Sequence, residues 1–347
     1  MSRKIRVGIV FGGRSVEHEI SLLSAKNVFA ALDKTKFEPV LIGITKTGQW
    51  LLQKNSSLLA AKPNAKTIAL AKSETEITPT SLGQSIDVVF PVLHGTFGED
   101  GTIQGLLKLA GIHFVGAGVL GSAVGVDKDV QKRLLRDAAI PVANFVVISS
   151  HQPLVTSRSF GFPVFVKPAN CGSSVGISKA HNQKELDTAI REAFRFDTKV
   201  LIEEAIVGRE LECSVLGNEN PTASTVGEVV ATHEFYDYDA KYIDEKGAKL
   251  ILPAKLSLKE LKAAQKTAID AYTTLCCEGM ARVDMFLTKN GRVLVNEINT
   301  IPGFTNISMY PKLWEASGVS QTELISKLIS LAIERFKKEQ KLKTNVL

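Results

Sequence analysis

Two carboxylates near the carboxyl end of the sequence, Asp284 and Glu297, have a spacing that could bring them together. They lie in two runs of strand-forming residues, Ala281–Leu287 and Arg292–Ile298, which flank Asn290-Gly291. An Asn-Gly pair between such runs predicts a tight hairpin, because a type I′ turn needs positive φ at both central residues. A two-residue turn would place Asp284 directly opposite Glu297. Facing carboxylates repel each other, so this pair indicates a compensating positive charge.

The same register would place Arg282 opposite Asn299, on the face that carries the two carboxylates. Asp284, Glu297 and the amide oxygen of Asn299 are hard oxygen donors, the ligands of a Mg²⁺ ion that bridges to phosphates. The alternative is a solvated acidic hairpin. Apolar residues on both faces favour a buried hairpin, in which carboxylates need a partner or a metal. The expected apolar residues are Phe286, Val293 and Val295 on the carboxylate face, and Val283, Met285, Leu287, Leu294 and Ile298 on the other.

Composition limits the classes of protein to consider. A chain of 347 residues predicts two or three domains, and 44% hydrophobic with 22% charged residues is typical of globular proteins. The net charge of +6 suits an anionic ligand, and the densest basic run, Arg335–Lys343, is more typical of a helix end than of a nucleic-acid arm. We expect no nucleic-acid partner, no signal peptide and no membrane span. The four cysteines lack a metal-binding spacing, which predicts free thiols in the cytoplasm.

The first third of the chain has the pattern of a parallel α/β domain. The runs Ile5–Phe11, Phe37–Ile44 and Ile86–Leu93 are apolar throughout, as in strands covered on both faces. Gly12-Gly13 after the first run is a weak signal for dinucleotide binding. The third run leads into His94 and a glycine-rich loop, at the strand end where open α/β sheets bind ligands.

Two later loops have compositions suited to ligand binding. Lys167 ends a predicted strand and leads into the Gly/Ser-rich segment Pro168–Gly176, which could supply a point charge, amides and hydroxyls to a phosphate. An ordinary hairpin loop is the alternative. The segment His233–Lys249 has three tyrosines and no apolar periodicity, which is typical of a lid or binding loop.

Six motifs in this order resemble those of the D-alanine–D-alanine ligases, a family with the ATP-grasp fold. The resemblance spans nearly the whole chain and implies an α/β protein of three domains, in which two α+β domains clasp ATP. We expect an N-terminal parallel α/β domain at 1–124, a central domain at 125–210 and a C-terminal domain with the metal hairpin and lid at 211–347. The motifs are Gly12–Leu22, Leu93–Gly101, Val166–Lys179, Tyr236–Tyr242, Arg282–Phe286 and Asn296–Pro311.

The resemblance implies a nucleotide site with two metal ions. Asp284, Glu297 and Asn299 look like the ligands of two Mg²⁺ (or Mn²⁺) ions. Lys128 and Lys167 are similar to the phosphate-binding lysines of the family. The remaining residues that resemble ATP contacts are Glu203 and Glu204 with Ile206 for adenine, Glu210 for ribose and Lys241 for phosphate.

The resemblance also implies contacts to two D-alanine molecules. Glu17 looks like the carboxylate that holds the first ammonium, linked to Ser173 and Tyr242, with His94 nearby. Arg282 and the Gly303 amide are similar to the oxyanion hole, and Ser308 with the Met309 amide to the site for the second carboxylate. The family often has leucine at position 309 and tryptophan at 205, where this chain has Met309 and Ala205. Those contacts are largely backbone or packing, so the differences leave the activity in place.

The implied reaction joins two D-alanines through an acyl phosphate made from ATP, and it supplies peptidoglycan synthesis. The family also implies a homodimer, without a membrane or nucleic-acid partner. The sequence leaves three alternatives open. A different ATP-grasp ligase would share the hairpin but lack Glu17, His94 and the tyrosine-rich loop. An NAD-dependent dehydrogenase would not need the facing carboxylates, and a non-catalytic nucleotide-binding module would bind ATP without making ADP.

Overall fold

The computed structural model describes residues 3–54, 75–150, 161–231 and 248–343. These residues form three β-sheets and eight α-helices. No helix within them is long and apolar enough to cross a bilayer. The predicted α/β class is therefore confirmed. Lys241, Tyr242 and nearly all of the predicted lid lie outside the described residues.

The first sheet has five strands in the order β3-β2-β1-β4-β5. Its neighbours pair in parallel except for β3, which runs antiparallel to β2. The apolar runs predicted as strands are confirmed. Strands that are buried on both faces need a continuous hydrophobic sequence, which is why the pattern was informative. The strands are β1 (Ile5–Gly12), β2 (Phe37–Ile44), β3 (Trp50–Gln53), β4 (Val88–Val92) and β5 (His113–Phe114); the helices are α1 (His18–Ala31) and α2 (Thr102–Leu109), with a 3₁₀ helix at Pro79–Gln84.

The second sheet occupies the middle of the chain and is antiparallel, in the order β6-β9-β7-β8. Two helices precede it, α3 (Val119–Val126) and α4 (Lys128–Asp137), and one packs on it, α5 (Gln183–Ala193). The Asp127 side chain caps α4 by accepting from the amides of Asp129 and Val130. This cap fixes where α4 begins and so where Lys128 points. The strands are β6 (Phe145–Ser149), β7 (Val164–Pro168), β8 (Ser178–Ala180) and β9 (Lys199–Glu204).

The third sheet carries the predicted hairpin and is antiparallel throughout, in the order β12-β11-β10-β13-β14. One helix, α6 (Leu258–Thr274), packs on its core face and begins with a capping box between Ser257 and Glu260. The strands are β10 (Gly208–Gly217), β11 (Thr222–Ala231), β12 (Ala248–Ile251), β13 (Gly279–Thr288) and β14 (Val293–Asn299); helices α7 (Met309–Ala316) and α8 (Gln321–Glu339) follow.

The first sheet and the end of the chain share one hydrophobic core. Side chains of β1, such as Val7 and Ile9, are fully buried in the same cluster as side chains of α8, such as Leu324 and Leu328. Arg335 of α8 adds hydrogen bonds to the carbonyls of Gly116 (2.5 Å) and Phe114 (2.9 Å). The second sheet has a separate core, formed with α5.

The hairpin register is confirmed at the carboxylates and wrong at the turn. Asp284 faces Glu297 and Arg282 faces Asn299, as predicted. The loop between the strands has three residues, Lys289 to Gly291, so Leu287 faces Val293. A β-bulge then inserts Asn296, which restores the predicted pairing.

This bulge also corrects the predicted faces of β14. Because of the extra residue, Val293 and Val295 pack in the core with Val283, and they do not share the carboxylate face. Leu294 instead faces Phe286, on the side that carries the carboxylates.

Candidate active site

A row of three acidic residues crosses the third sheet. Asp284 on β13 pairs with Glu297 on β14 and with Glu212 on β10. All three side chains line one cavity of about 530 Å³. Nearby cations have to offset their mutual repulsion, and two neighbouring side chains provide positive charge.

Arg282 provides the first cation. Its Nε donates to Asp284 Oδ1 and its Nη2 to Asp284 Oδ2, both at 2.7 Å, which forms a bidentate pair. Its Nε also lies 3.0 Å from Glu212 Oε2. Asn299 adds a hydrogen bond from its amide nitrogen to Asp284 Oδ2 (3.0 Å). The guanidinium is therefore fixed at the wall of the cavity by two carboxylates.

Lys128, at the start of α4, provides the second cation. Its Nζ lies 3.4 Å from Glu297 Oε2 and donates to the carbonyl of Cys171 (2.8 Å). Cys171 belongs to the Gly/Ser-rich loop, so this lysine connects the hairpin of the third sheet to the second sheet. The side chain is buried, at 6% exposed.

Lys167, near the end of β7, lies in the smaller of the two cavities, with Lys128. Its Nζ is 2.5 Å from Glu203 Oε2 and donates to Asn296 Oδ1 at 3.2 Å. The other oxygen of Glu203 contacts the buried Lys132 of α4. Burial raises the pKa of Glu203, but the two ammonium groups outweigh burial and hold it below its usual value. Glu203 is thus an ionised, fully enclosed carboxylate.

The Gly/Ser-rich loop connects the second sheet to the first. Ser173 and Ser174 both adopt left-handed backbone conformations, with φ of 51° and 61°. A left-handed backbone conformation is unfavourable for serine, and it persists only where contacts with the surrounding structure stabilise it. Ser173 Oγ donates a short hydrogen bond to Glu17 Oε1, which comes from the loop before α1. The strained loop therefore brings its hydroxyl to the carboxylate that follows β1.

Gly95 shows how closely this region is packed. It has a φ of 73°, and a Cβ at this position would lie 2.8 Å from Glu17 Oε2 and 2.8 Å from Ser15 Oγ. Its amide donates to Glu99 Oε2 at 3.1 Å. Burial, followed by the charge of Glu17, raises the pKa of Glu99 well above its usual value. Two carboxyl groups, Glu17 and Glu99, thus approach one wall of the cavity.

His94 is buried behind this wall. Its Nδ1 lies 3.1 Å from the Ile301 carbonyl, so Nδ1 carries the proton and donates. Its Nε2 lies 3.0 Å from Ser24 Oγ, which in turn accepts from the Phe304 amide at 3.2 Å. Burial lowers the pKa of His94, and Glu17 opposes the shift. The geometry therefore holds a neutral imidazole.

The lowered pKa of His94 predicts a pH dependence of stability. The unfolded chain binds a proton on this residue below its ordinary pKa of about 6.5, whereas the folded chain binds it only at lower pH. Stability should therefore fall as the pH drops below about 6.5, until the folded pKa is passed. We expect the Tm of the wild type to fall more steeply from pH 7.5 to pH 5 than that of His94→Gln. The exposed His181→Gln is the matched control, and equal slopes for wild type and His94→Gln would contradict the prediction.

The segment after β14 closes the cavity on the far side. Ser308 Oγ accepts from the Thr305 amide (2.9 Å) and lies 2.7 Å from Thr305 Oγ1. A Cβ at Gly303 would lie 2.7 Å from Ser308 Oγ, so these two residues are adjacent in space. Met309 begins α7 and is 5% exposed, packed with Val229. Gly303, Ser308 and Met309 line the same cavity as Arg282.

Two adjoining cavities contain all the predicted site residues that the structure describes. The larger, of about 530 Å³, is lined by Glu17, His94, Ser173, Glu210, Arg282, Asp284, Glu297, Asn299, Gly303, Ser308 and Met309. The smaller, of about 250 Å³, is lined by Lys128, Lys167, Glu203, Glu204 and Ile206, with Ser173, Glu210 and Glu297 shared. The sequence placed these residues far apart, and the fold brings them to one cleft.

Three polar residues of this cleft, Glu99, Glu212 and Asn296, and one behind it, Lys132, were not singled out by the sequence analysis. Glu212 follows Glu210 by two residues on β10, so strand alternation from Glu210 could have identified it. Lys132 follows Lys128 by one helical turn on α4, which is likewise a readable spacing. Asn296 begins a family motif, but its orientation depends on the β-bulge, which the spacing did not predict.

The donor set of the hairpin fits a hard cation. Within residues 3–54, 75–150, 161–231 and 248–343, no group of three or more His, Cys, Asp or Glu side chains is arranged to hold a metal. Asp284, Glu297 and Asn299 supply three oxygen-bearing side chains on one face. Mg²⁺ keeps few protein ligands and completes its shell with phosphate oxygens and water, so three donors suffice.

Comparisons with known proteins agree with this arrangement. The family described as "D-ala D-ala ligase N-terminus" matches residues 6–117, and "D-ala D-ala ligase C-terminus" matches residues 134–330. The D-alanine--D-alanine ligase of Shouchella clausii (strain KSM-K16) is 52% identical, over 99% of this chain and 98% of its own length.

Solved structures give the same result for the fold. The D-alanine-D-alanine ligase from Coxiella burnetii has a TM-score of 0.84 and 40% identity, covering 98% of this chain and 97% of its own. The VanG D-Ala:D-Ser ligase from Enterococcus faecalis has a TM-score of 0.82 and 36% identity, covering 95% and 100%. The predicted ATP-grasp architecture is therefore confirmed, and a dehydrogenase is excluded. With two family matches and relatives aligned along nearly its whole length, this chain belongs to the D-alanine–D-alanine ligase family of ATP-dependent ligases.

Proposed function

We propose that this protein joins two D-alanine molecules into D-alanyl-D-alanine at the expense of ATP, and so supplies a precursor of peptidoglycan. The observation that carries the proposal is the pair of adjoining cavities, one rich in lysines and one with Glu17, Arg282 and Ser308 on its walls. A nucleotide in the first and two amino acids in the second would meet at the Asp284–Glu297 pair.

ATP would occupy the smaller cavity. Lys128 and Lys167 would bind its phosphates, and Glu203 with the backbone of Glu204 and Ile206 would bind adenine. Glu210, on the shared wall, would bind ribose. Asp284, Glu297 and Asn299 would hold two Mg²⁺ (or Mn²⁺) ions, which supply charge neutralisation for the transferred phosphoryl group. The domain boundaries at 1–124, 125–210 and 211–347 are part of this proposal.

The first D-alanine would bind in the larger cavity with its ammonium at Glu17. Ser173 orients that carboxylate through the hydrogen bond described above. The neutral His94 would support the same region without adding a cation that repels the ammonium. Arg282 and the Gly303 amide would bind the carboxylate that receives phosphate and later the oxyanion. Asp284 and Glu212 hold the Arg282 guanidinium in place before the reaction. Electrostatic stabilisation of a transition state requires donors that are oriented in advance in this way.

The second D-alanine would place its carboxylate at the Ser308 hydroxyl and the Met309 amide. Its amine attacks the carbonyl carbon of the acyl phosphate, the new C–N bond forms, and phosphate leaves. No protein nucleophile takes part, so Ser173 and Cys171 have no covalent role. Lys241 and Tyr242, which lie outside the described residues, stay predicted contacts to phosphate and to Ser173.

The cellular setting is also a proposal. All four cysteines, Cys171, Cys213, Cys276 and Cys277, are free, which suits the reducing cytoplasm.

The expected homodimer rests on the family resemblance and can be checked by light scattering of the purified protein.

The identity of the second substrate is the part that most needs a test, because the VanG relative is named a D-Ala:D-Ser ligase. We expect D-alanyl-D-alanine to dominate when D-alanine, D-serine and D-lactate compete at equal concentration. Dipeptide formation should rise from pH 6 towards pH 8.5, because only the unprotonated amine attacks. The measurement is mass spectrometry of the products at pH 6, 7 and 8.5, with ADP release as the control for ligase activity. A mixed D-Ala-D-Ser product or a depsipeptide as the main species at pH 7 would refute the assignment.

A further inference from the structure

Lys132 is a fully buried lysine to which the proposed reaction gives no role. It lies on α4, one helical turn after Lys128, and its side chain is 0% exposed. It does not line either cavity, so it cannot touch a ligand there directly. A buried ammonium is costly unless a carboxylate pairs with it, and such a residue in an enzyme's interior calls for an explanation.

The partner of Lys132 is a residue of the proposed ATP site. In the described part of the chain, Glu203 is the carboxylate in ion-pair contact with Lys132, and its other oxygen contacts Lys167 at 2.5 Å. One carboxylate is therefore held between two ammonium groups. Burial lowers the pKa of Lys132, and Glu203 acts in the opposite direction.

The charges of this group determine what Lys167 can do. Two lysines and one carboxylate leave one net positive charge, whereas Lys167 and Glu203 alone would be neutral. In that neutral pair, Lys167 would be the sole counter-ion of a buried carboxylate, and a phosphate would have to compete for it. Lys132 supplies Glu203 with its own cation, which makes the Lys167 ammonium available.

We propose that Lys132 is a positioning residue that neutralises Glu203 and thereby leaves the Lys167 ammonium available to the phosphates of ATP. This inference rests on the proposed ATP site. It adds a residue behind the site that tunes affinity for the phosphate part of the nucleotide and leaves affinity for the adenosine part largely unchanged.

The test is calorimetric titration with ATP and Mg²⁺ in the absence of D-alanine, compared with adenosine as an uncharged ligand. We expect Lys132→Met to raise the Kd for ATP by at least about tenfold, the scale of one charge acting through a protein interior. The Kd for adenosine should change less than about threefold. Arg136→Met, which removes an exposed cation from the same helix, is the matched control and should leave both values unchanged.

A double-mutant cycle separates charge from packing. Glu203→Gln removes the carboxylate that occupies Lys167, so Lys132→Met in that background should raise the Kd for ATP by less than about threefold. The double variant contains no unpaired buried carboxylate. Its Kd for ATP can therefore be compared with that of Glu203→Gln even if Lys132→Met alone folds poorly. Equal loss of ATP and adenosine binding, or equal loss in both backgrounds, would overturn the proposal in favour of packing.

One further variant distinguishes this proposal from the ATP site itself. Lys167→Met should weaken ATP binding whether or not Lys132 has the proposed role. Unchanged ATP binding in Lys167→Met would refute the site. Weakened binding in Lys167→Met with unchanged binding in Lys132→Met would refute the role of Lys132 alone.

Discussion

Replacing Asp284 by asparagine is expected to lower kcat by about 10³-fold or more, because a metal that neutralises phosphoryl charge contributes several kcal/mol to the transition state. Glu297→Gln should have a similar effect, since the two carboxylates face each other across β13 and β14. Either change also removes one of the three repelling charges in this row, so the fold should remain intact. The measurement is ADP release at saturating ATP, D-alanine and Mg²⁺.

The controls for this prediction separate metal binding from folding. Asp270→Asn removes an exposed carboxylate of α6 that pairs with Lys266, and it should leave kcat unchanged. Thermal melting of the two site variants should show a Tm at or above that of the wild type. Full activity of the wild type in saturating EDTA, or near-normal turnover of either variant, would show that Asp284 and Glu297 do not hold a catalytic metal.

Loss of Arg282 should lower kcat by on the order of 10²–10³, the scale for removing an oxyanion donor. The side chain is held by two bonds of 2.7 Å to Asp284 and a 3.0 Å contact with Glu212, so its direction is set before substrate binds. Arg282→Lys should restore little, because a lysine replaces a planar fork with a point charge. Steady-state kinetics with each substrate varied in turn would measure the effect on kcat.

The pattern across kinetic constants identifies the role. An oxyanion donor acts in the transition state, so Arg282→Ala should lower kcat much more than it changes the KM for ATP. A variant that changed only the KM for ATP would place Arg282 in nucleotide binding and remove its proposed role. The removed cation also leaves Asp284 and Glu212 facing each other, so a lower Tm that Mg²⁺ restores is expected as a companion observation.

The sequence predicted the strands of the first sheet well because burial on both faces leaves a continuous apolar run. Phe37–Ile44 was predicted to the residue. The facing of Asp284 and Glu297 was also predicted, but two errors cancelled. The turn is one residue longer than the Asn-Gly pair implied, and the bulge at Asn296 takes up the difference. A bulge depends on packing between strands, which a local pattern does not encode.

The parts of the site that could not be predicted from the sequence involve contacts between distant segments. Lys132 and Glu203 are on α4 and β9, and nothing in either segment points to the other. Likewise, the glycine-rich loop after β4 indicated a ligand site but not that a half-buried Glu99 would lie close to Glu17. The family motifs predicted that the other site residues share one site. Motifs of a known family imply which distant segments are in contact, and residue spacing alone does not.

The core shared by the first sheet and α8 has a consequence for how the chain folds as it is synthesised. Residues of β1 such as Ile9 leave the ribosome long before the side chains that share their core, such as Leu328. The second sheet, with α5, contains its own core within a continuous stretch and can close as soon as that stretch is exposed. Contacts between distant segments form late because loop-closure entropy must be overcome first. The second sheet can therefore complete its core before α8 has been synthesised. The apolar strands of the first sheet stay exposed during that interval and are accessible to chaperones.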